Sequence, residues 1–583
     1  MIFFNRSGET GRKEALTQKS TLLKTSVCSL ISPPAIALGL KKTSLNWELL
    51  IFLTLFLNVK LWVKVLAIII VLIQNRKKLL PIKPFQNKLL FFYLFILIVG
   101  VLNIAFHSHI ITTNYLVAAS TGMIFWLLAA FASYQCYRYT ETIKPKSIHA
   151  TLTLFFILNI LLTCSTLIRI IIETGAINPY TYQGLYQKYF ITTGDYLRGI
   201  TFDTSTTNAC LNSFGVVYFL IRKKAFLTIA CMAGLLLTGS NLTNLLLTCV
   251  LVYIFIFQSN KDQKSLVAGW VICLVVFMIK ISPQNNIYVQ ESFARIFKKD
   301  TLSPADTSPV VIKKTDSLLT IEERKQQFAR SYLDSMATIA VKHASLVSGK
   351  YAAATDAISP FPEPATVKPG LPKDDIHSVP FQRKKVQTAL QSELIKYVKK
   401  DKAEDSIIAL NKDGKRIPGK LTAFKQTLAF FKSHPLQLLT GTGMGNFSSK
   451  LAFRTTGLDI AGGYPAKYIY INKDFRENHL AIFLYYFSND AQYHSIINTP
   501  NSIYDQLLSE YGLTGLIIFV VFYIGYFAKN IKWLTYGIPL LLIITGAFFI
   551  DYWFEQLSIV VIFELMVFLN IHENKLVPDA DQC

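Results

Sequence analysis

Four patches of this 583-residue chain combine residue types that can hold an anion or move a proton. The first is Leu197-Arg198-Gly199-Ile200-Thr201-Phe202-Asp203, with Asn208 just beyond. A guanidinium is a planar fork that meets phosphate oxygens two at a time. Arg198 therefore suits an anionic head group, although an arginine beside an apolar run also serves as a plain interfacial anchor. The second patch, Pro418-Gly419-Lys420-Leu421-Thr422-Ala423-Phe424 followed by His434-Pro435-Leu436, supplies Lys420 as a point charge. The third runs Gly441-Thr442-Gly443-Met444-Gly445-Asn446-Phe447-Ser448-Ser449-Lys450 and on to Arg454. Its backbone N–H groups can surround a phosphate. It is no dinucleotide fingerprint, since no strand leads into it, and a simple tight turn has the same composition. The fourth comprises Tyr493-His494-Ser495 and the stretch from Asn501 to Leu516, which contains Tyr504 and Glu510. Residues 503–508 read as a short amphipathic helix at a membrane interface, with Tyr504, Leu507, Leu508 and Tyr511 on its apolar side.

The elements that position these patches are mostly apolar. Hydrophobic residues make up 52% of the chain and charged ones 16%, where soluble proteins average about 25%. Long apolar runs alternate with short basic connectors, the pattern of spanning helices. Residues 45–74 are too long for one ordinary span and are interrupted by Lys60 and Lys64. They read as a hairpin turning near 58–60, with one long tilted helix as the alternative. Further spans are expected near 89–106, 115–134, 151–172, 206–221, 225–237, 242–257 and 266–281. A loop follows, and three closing spans lie near 512–528, 533–550 and 552–569. The fold class is thus an all-α polytopic membrane protein. It has about 12 transmembrane helices and a large, mostly helical extracytoplasmic loop between helices 9 and 10.

Five basic connectors set the orientation: 76–78, 138–146, 222–224, 261–264 and 529–532. All fall on one side under this count, and that side is expected to be cytoplasmic. The expected organisation is a cytoplasmic N-terminal segment (1–44), a nine-helix membrane domain (45–281), the loop (282–511), the last three spans (512–570) and a cytoplasmic tail (571–583). The N-terminus does not read as a signal peptide, because Lys24, Lys41 and Lys42 break its apolar stretches. Inside the loop, 316–338, 387–402 and 421–432 read as helices, and 359–380 as a Pro-rich linker. His434-Pro435 stops the last of these helices.

The net charge of +23 is carried largely by connectors, so nucleic-acid binding is not indicated. None of the eight cysteines falls in the loop, which excludes a disulfide framework or a C-x-x-C metal site there. Glu564 stands inside the twelfth span, where an ionisable residue is a functional suspect or has a structural partner in the bundle.

Taken in order, the patches resemble the O-antigen ligase and polymerase family of envelope glycan enzymes. Three pieces carry the resemblance. They are the Arg-x-x-x-Phe stretch before a span, the "Gly-Lys-Leu … His-Pro-Leu … Gly-x-Gly-x-Gly-Asn-Phe" stretch, and "Asn-x-x-Tyr-x-Gln-Leu-Leu-x-Glu-Tyr-Gly-Leu-x-Gly-Leu" entering the next span. The plan of nine spans, an outer loop and three more is also similar. The resemblance implies metal-independent, cofactor-free transfer of a glycan from a polyprenyl-pyrophosphate carrier to a glycan or lipid-anchored sugar acceptor. It further implies a cytoplasmic (inner) membrane location with the loop in the periplasm. Arg198 matches the family's first arginine. Lys420 takes the place of the second, and Asn501 that of the family's histidine. An amide is no base at neutral pH, so His494 or Glu510 supplies one, or none is needed. Arg198, Lys420, Arg454, Arg476 and Tyr504 form the expected pyrophosphate- or glycan-binding set. A polysaccharide transporter or flippase, or a non-catalytic envelope assembly protein, is the alternative reading.

Overall fold

The computed structural model describes residues 45–74, 87–106, 112–181, 196–282, 419–457, 464–480, 482 and 499–576. The expected loop helices at 316–338 and 387–402, the Pro-rich linker, His494 and the connector at 76–78 lie outside the described residues. The described chain is mostly helical and contains no strand.

The membrane part opens with α1 (Trp47–Phe56), α2 (Leu61–Gln74), α3 (Leu90–Phe106), α4 (Thr113–Thr142) and α5 (Pro145–Thr174). It continues with α6 (Ser205–Ile221), α7 (Ala225–Leu237), α8 (Asn241–Phe257) and α9 (Lys261–Ile281). Next come the loop helices α10 (Gly419–Ser433), α11 (Pro435–Thr440), α12 (Lys450–Thr455) and α13 (Lys473–Asn478). The chain closes with α14 (Ile503–Lys529), α15 (Gly537–Ala547), α16 (Trp553–Gln556) and α17 (Ser558–Leu576). Among the described residues α4, α5, α9 and α14 are long and apolar enough to cross a membrane. Six other apolar helices are shorter, at 10–17 residues.

The chain does break between α1 and α2, which pack against each other. Asn58 shapes the turn by accepting from the Lys60 backbone N–H, 3.0 Å. Lys64 folds back into the hairpin, where its ammonium donates to the Phe56 carbonyl at 2.8 Å. The expected boundary between loop and span at 511/512 is not a helix boundary. α14 begins at Ile503 and runs on through Gly512, which kinks it with φ 69°. The expected interfacial helix at 503–508 is therefore the first part of α14. Leu507, Leu508 and Tyr511 are buried in the protein and do not face lipid. The last two spans also differ from expectation. Between α15 and α17 the chain makes a polar break around Asp551, the short α16 and Leu557 at φ 70°.

Four basic connectors gather at one end of the bundle. His149 of α5 is bonded to Glu573 of α17, and Arg222 donates to the same imidazole at 2.7 Å. Gln263 of α9 reaches the Leu220 carbonyl at 2.8 Å, and Asn574 reaches the Trp533 carbonyl at 2.7 Å. His572 lies 3.4 Å from Glu141. Toward the other end, the hairpin tip donates from Val59 N–H to the Thr201 carbonyl at 3.0 Å.

The interior is dense in rings. Phe92 meets Tyr93, Trp126, Phe519, Tyr523 and Phe554 with centroids 5.0–5.9 Å apart. Edge-to-face pairs of this kind contribute about 0.5–1.5 kcal/mol each beyond area burial. They lock α3, α4, α14 and α16 into one unit. Glu564 is buried in this unit and accepts from the Tyr93 hydroxyl, which supplies the partner that the sequence did not name.

Candidate functional site

Arg198 sits on a backbone that side chains from two helices hold rigid. Asn159 of α5 accepts from the Ile200 N–H at 2.9 Å and donates to Asn208 Oδ1 at 3.0 Å. Asn208 of α6 donates to the Leu197 carbonyl at 3.1 Å and to Thr163 at 2.9 Å. Asn212 donates to Asn208 Oδ1 at 2.9 Å. All three amides are fully buried, so each satisfied bond also avoids a desolvation penalty. Gly199 is required here, because a Cβ would run into Asn159 Oδ1 and lie 2.5 Å from Asn208 Oδ1. Arg198 itself is half-buried, with its guanidinium 5.7 Å from the centre of the Tyr196 ring. Phe202 is held at φ 53°, a region that bulky residues avoid, with its ring 53% exposed.

The glycine-rich turn wraps an acidic side chain, the chain's own Glu510. Gly441, Gly443 and Gly445 have φ of 82°, 92° and 72°. This path aims successive N–H groups inward. The Glu510 carboxylate accepts from Phe447 N–H at 3.2 Å and also bonds Ser449 and the backbone of Gly445 and Asn446. The Thr442 N–H donates to the Ser509 carbonyl at 2.9 Å and the Gly443 N–H to the Glu510 carbonyl at 3.0 Å. Tyr470 donates to Asn446 Oδ1 at 2.9 Å, closing the turn from the other side. Two expectations change as a result. The turn is not an open phosphate cradle, and Glu510, 1% exposed, is committed to shaping the loop and cannot meet an acceptor hydroxyl.

Lys420 also has a different task from the one expected. Its ammonium donates to Thr499 Oγ1 at 3.2 Å, the Asn501 carbonyl and the Ile550 carbonyl at 3.1 Å. An ammonium has three donors, and all three are used. Burial pushes the Lys420 pKa down to about 7, opposed by the nearby carboxylates of Asp551 and Asp505. Lys420 ties α10 to the starts of α14 and the α15–α16 break. Asn501 donates its amide to Asp551 Oδ1 at 3.1 Å, again a structural bond.

The sequence reading missed two acids in this place. Asp551 accepts from Asn501, from the Tyr552 N–H at 2.8 Å and from the Gln556 amide. Lys450 lies 3.9 Å from it as an ion-pair partner. Glu555 accepts from the Gln506 amide and the Leu451 N–H, and faces Arg454 and Lys450 electrostatically. Lys450 and Arg454 are four apart on α12, as are Asp551 and Glu555 across from them. Lys450 thus faces both acids, and Arg454 faces Glu555. Nε of Arg454 is buried and has no hydrogen-bond partner among the described residues. The acids were legible only as polar letters, Asp551, Glu555 and Gln556, within an apolar run.

Other expected residues lie apart from this group. Arg476, on α13, pairs with Glu477 at 3.5 Å. Tyr504 packs its ring 4.4 Å from Phe549 and donates to the Thr545 carbonyl at 2.9 Å, so it joins α14 to α15. His479 went unnoticed in the sequence. It is fully buried with its ring 4.9 Å from Phe447, and burial pulls its pKa down to about 3, which makes it a weak base. Among the described residues no group of three or more His, Cys, Asp or Glu could hold a metal ion.

Height relates the two halves of the site. α4 ends and α5 begins at one tight turn, Thr142 to Pro145, at the basic end. Met444 of the glycine turn and Leu451 of α12 pack against Gly122, twenty residues up α4 from Thr142. The Arg198 carbonyl is bonded by Thr166, twenty-one residues up α5 from Pro145. At 1.5 Å per residue both stand about 30 Å from the basic turn. That is the thickness of a bilayer's hydrocarbon core. No protein-family model matches the chain, and no curated protein and no solved structure does either.

Proposed function

We propose that this chain is a membrane-embedded glycan transferase of the O-antigen ligase or polymerase type. In this reading it moves a glycan from a polyprenyl-pyrophosphate carrier to a sugar hydroxyl, with glycan or lipid-anchored sugar as acceptor. About twelve helices span the inner membrane, with both termini cytoplasmic and the 282–511 loop outside. The basic end is the cytoplasmic one, by the bias of Lys and Arg toward that side.

One observation carries this reading. Arg198 on its rigid platform and the Lys450–Arg454 face of α12 stand at one level, about one hydrocarbon thickness from the basic connectors. A lipid-linked pyrophosphate in the outer leaflet presents its charge at that level. Cations fixed there stabilise the negative charge that grows on the leaving pyrophosphate as the anomeric C–O bond breaks. The exposed ring of Phe202, beside Arg198, suits an isoprenoid chain. Lys420 and Glu510 support the site by holding its frame.

The test is surface glycan length and attachment in cells carrying Arg198→Ala or Arg454→Ala. Each change is expected to lower transfer about tenfold or more, the scale of one lost electrostatic contact to the leaving charge. Unchanged glycan in both variants refutes the reading. So does a tag that places residues 282–511 in the cytoplasm.

A further inference from the structure

The reaction proposed above needs a group to take the acceptor's proton, and the family's histidine position holds Asn501. We propose that Glu555 is that group, with Arg454 beside it on the leaving pyrophosphate; the assignment rests on the transferase reading.

The acids Asp203, Asp505, Glu510, Asp551 and Glu564 are all buried. Glu510 is enclosed by the glycine turn. Asp505 is fully buried and accepts from Thr427 at 2.8 Å. Asp551 is buried and receives three donors besides its ion pair with Lys450. Glu564 lies deeper, against Tyr93 within the ring cluster. Among the acids named here Glu555 is the one with intermediate exposure, while its chain neighbours Phe554 and Gln556 are buried. Its bonds to Gln506 and the Leu451 N–H fix the carboxylate's direction. They leave lone pairs free, since a carboxylate accepts about four bonds. Leu451 packs on Gly122, so Glu555 shares the level of the glycine turn. Its neighbour Arg454 keeps a buried Nε with no partner among the described residues.

The step balances. The Glu555 carboxylate accepts the proton of the acceptor O–H. The oxygen's electron pair forms the new bond to the anomeric carbon. The bond from that carbon to the pyrophosphate breaks on the opposite face, and its electron pair leaves with the polyprenyl pyrophosphate. Arg454 faces that leaving charge, and Glu555 then gives its proton to water. One carboxylate and one displacement invert the anomeric centre.

The experiment uses the full chain in nanodiscs with a pool of polyprenyl-pyrophosphate-linked oligosaccharides as donor and a soluble oligosaccharide acceptor. Glu555→Gln is expected to lower kcat about a hundredfold or more, the usual share of a general base. Donor Kd should hold or fall, never rise, and the rise of kcat with pH should vanish. Glu555→Asp should keep an attenuated rise, and it carries the test if the Gln variant does not fold. The assignment is overturned if Glu555→Gln turns over within about fivefold of the parent, or if donor affinity falls in step with kcat. A parent protein that is inert toward the donor pool instead overturns the transferase reading, and this assignment with it.

Discussion

The crossing of the glycine turn over α14 sets up a sharp test. Gly441 and Gly512 lie back to back. A Cβ on Gly441 would drive into the Glu510 carbonyl and stand 2.6 Å from Gly512 N. A Cβ on Gly512 would drive into the Leu439 carbonyl and stand 2.6 Å from Gly441 N. Gly441 has φ 82°, ψ 179°, and Gly512 has φ 69°, ψ −171°, a region essentially reserved for glycine. Placing alanine there costs about 1–3 kcal/mol in backbone strain alone. Relieving the clash separates the strands of chain and breaks the bonds from Thr442 and Gly443 to α14, about 1 kcal/mol each. Gly441→Ala and Gly512→Ala are therefore each expected to lower unfolding free energy by about 3–5 kcal/mol. The readout is labelling of the buried free thiols Cys136, Cys210 and Cys231 across a denaturant series in detergent. Gly269→Ala is the control, since no atom lies within 4 Å of its added Cβ. Both changes strain one crossing, so the double variant should lose clearly less than the sum. A loss under about 1 kcal/mol for either single variant, or strict additivity, refutes the close crossing.

Gly199→Ala should displace the Arg198 segment from its asparagine seat and weaken binding of a lipid-linked pyrophosphate donor about tenfold, measured by titration in nanodiscs, because its Cβ meets Asn159 and Asn208. Lys420 predicts a pH effect. Its folded pKa of about 7 lies below the ordinary lysine value of 10.5, so the unfolded chain binds the extra proton between those values. The resulting destabilisation is fully present below about pH 7 and is relieved as pH rises toward 10.5. Lys420→Met should flatten the rise of stability between pH 7 and 10, read from denaturant midpoints, and an undiminished rise assigns it to another group.

Much of the frame was legible because apolar periodicity and basic connectors report helix position directly. Lys60 and Lys64 marked the α1–α2 break, since two ammonium groups do not sit unpaired in a continuous apolar helix. The site was less legible. The composition of 441–447 fitted either a phosphate cradle or a plain tight turn, and sequence distance hid that the turn wraps the chain's own Glu510, some sixty positions on. Lys420 was read as a free cation for the same reason. Its acceptors are backbone carbonyls of Asn501 and Ile550, and carbonyls are invisible to residue-type reasoning. Asp551 fell in the gap between the spans expected at 533–550 and 552–569, and Glu555 was absorbed into the twelfth span because a long apolar run tolerates an acid. What separates them from lipid is the break after α15, a tertiary feature.

If the proposed transfer holds, Asp551 and Glu555 also explain how the half-buried cations Lys450 and Arg454 are held between turnovers. Unpaired cations in a low-dielectric setting cost several kcal/mol each in desolvation. Counter-acids on the facing segment remove that penalty while the site is empty. A pyrophosphate that enters must compete with those acids for the same cations, which weakens ground-state binding. The competition eases when an acid takes up a proton, and in the proposed reaction Glu555 does so as charge accumulates on the leaving group. Neutralising the acid releases Arg454 to the pyrophosphate when its interaction is worth most. The interaction is then stronger in the transition state than in the bound donor, which is the condition for raising kcat. Removing the acid altogether should therefore tighten the donor's hold while slowing its reaction. That opposite movement of affinity and rate separates a base from a residue that merely braces the fold.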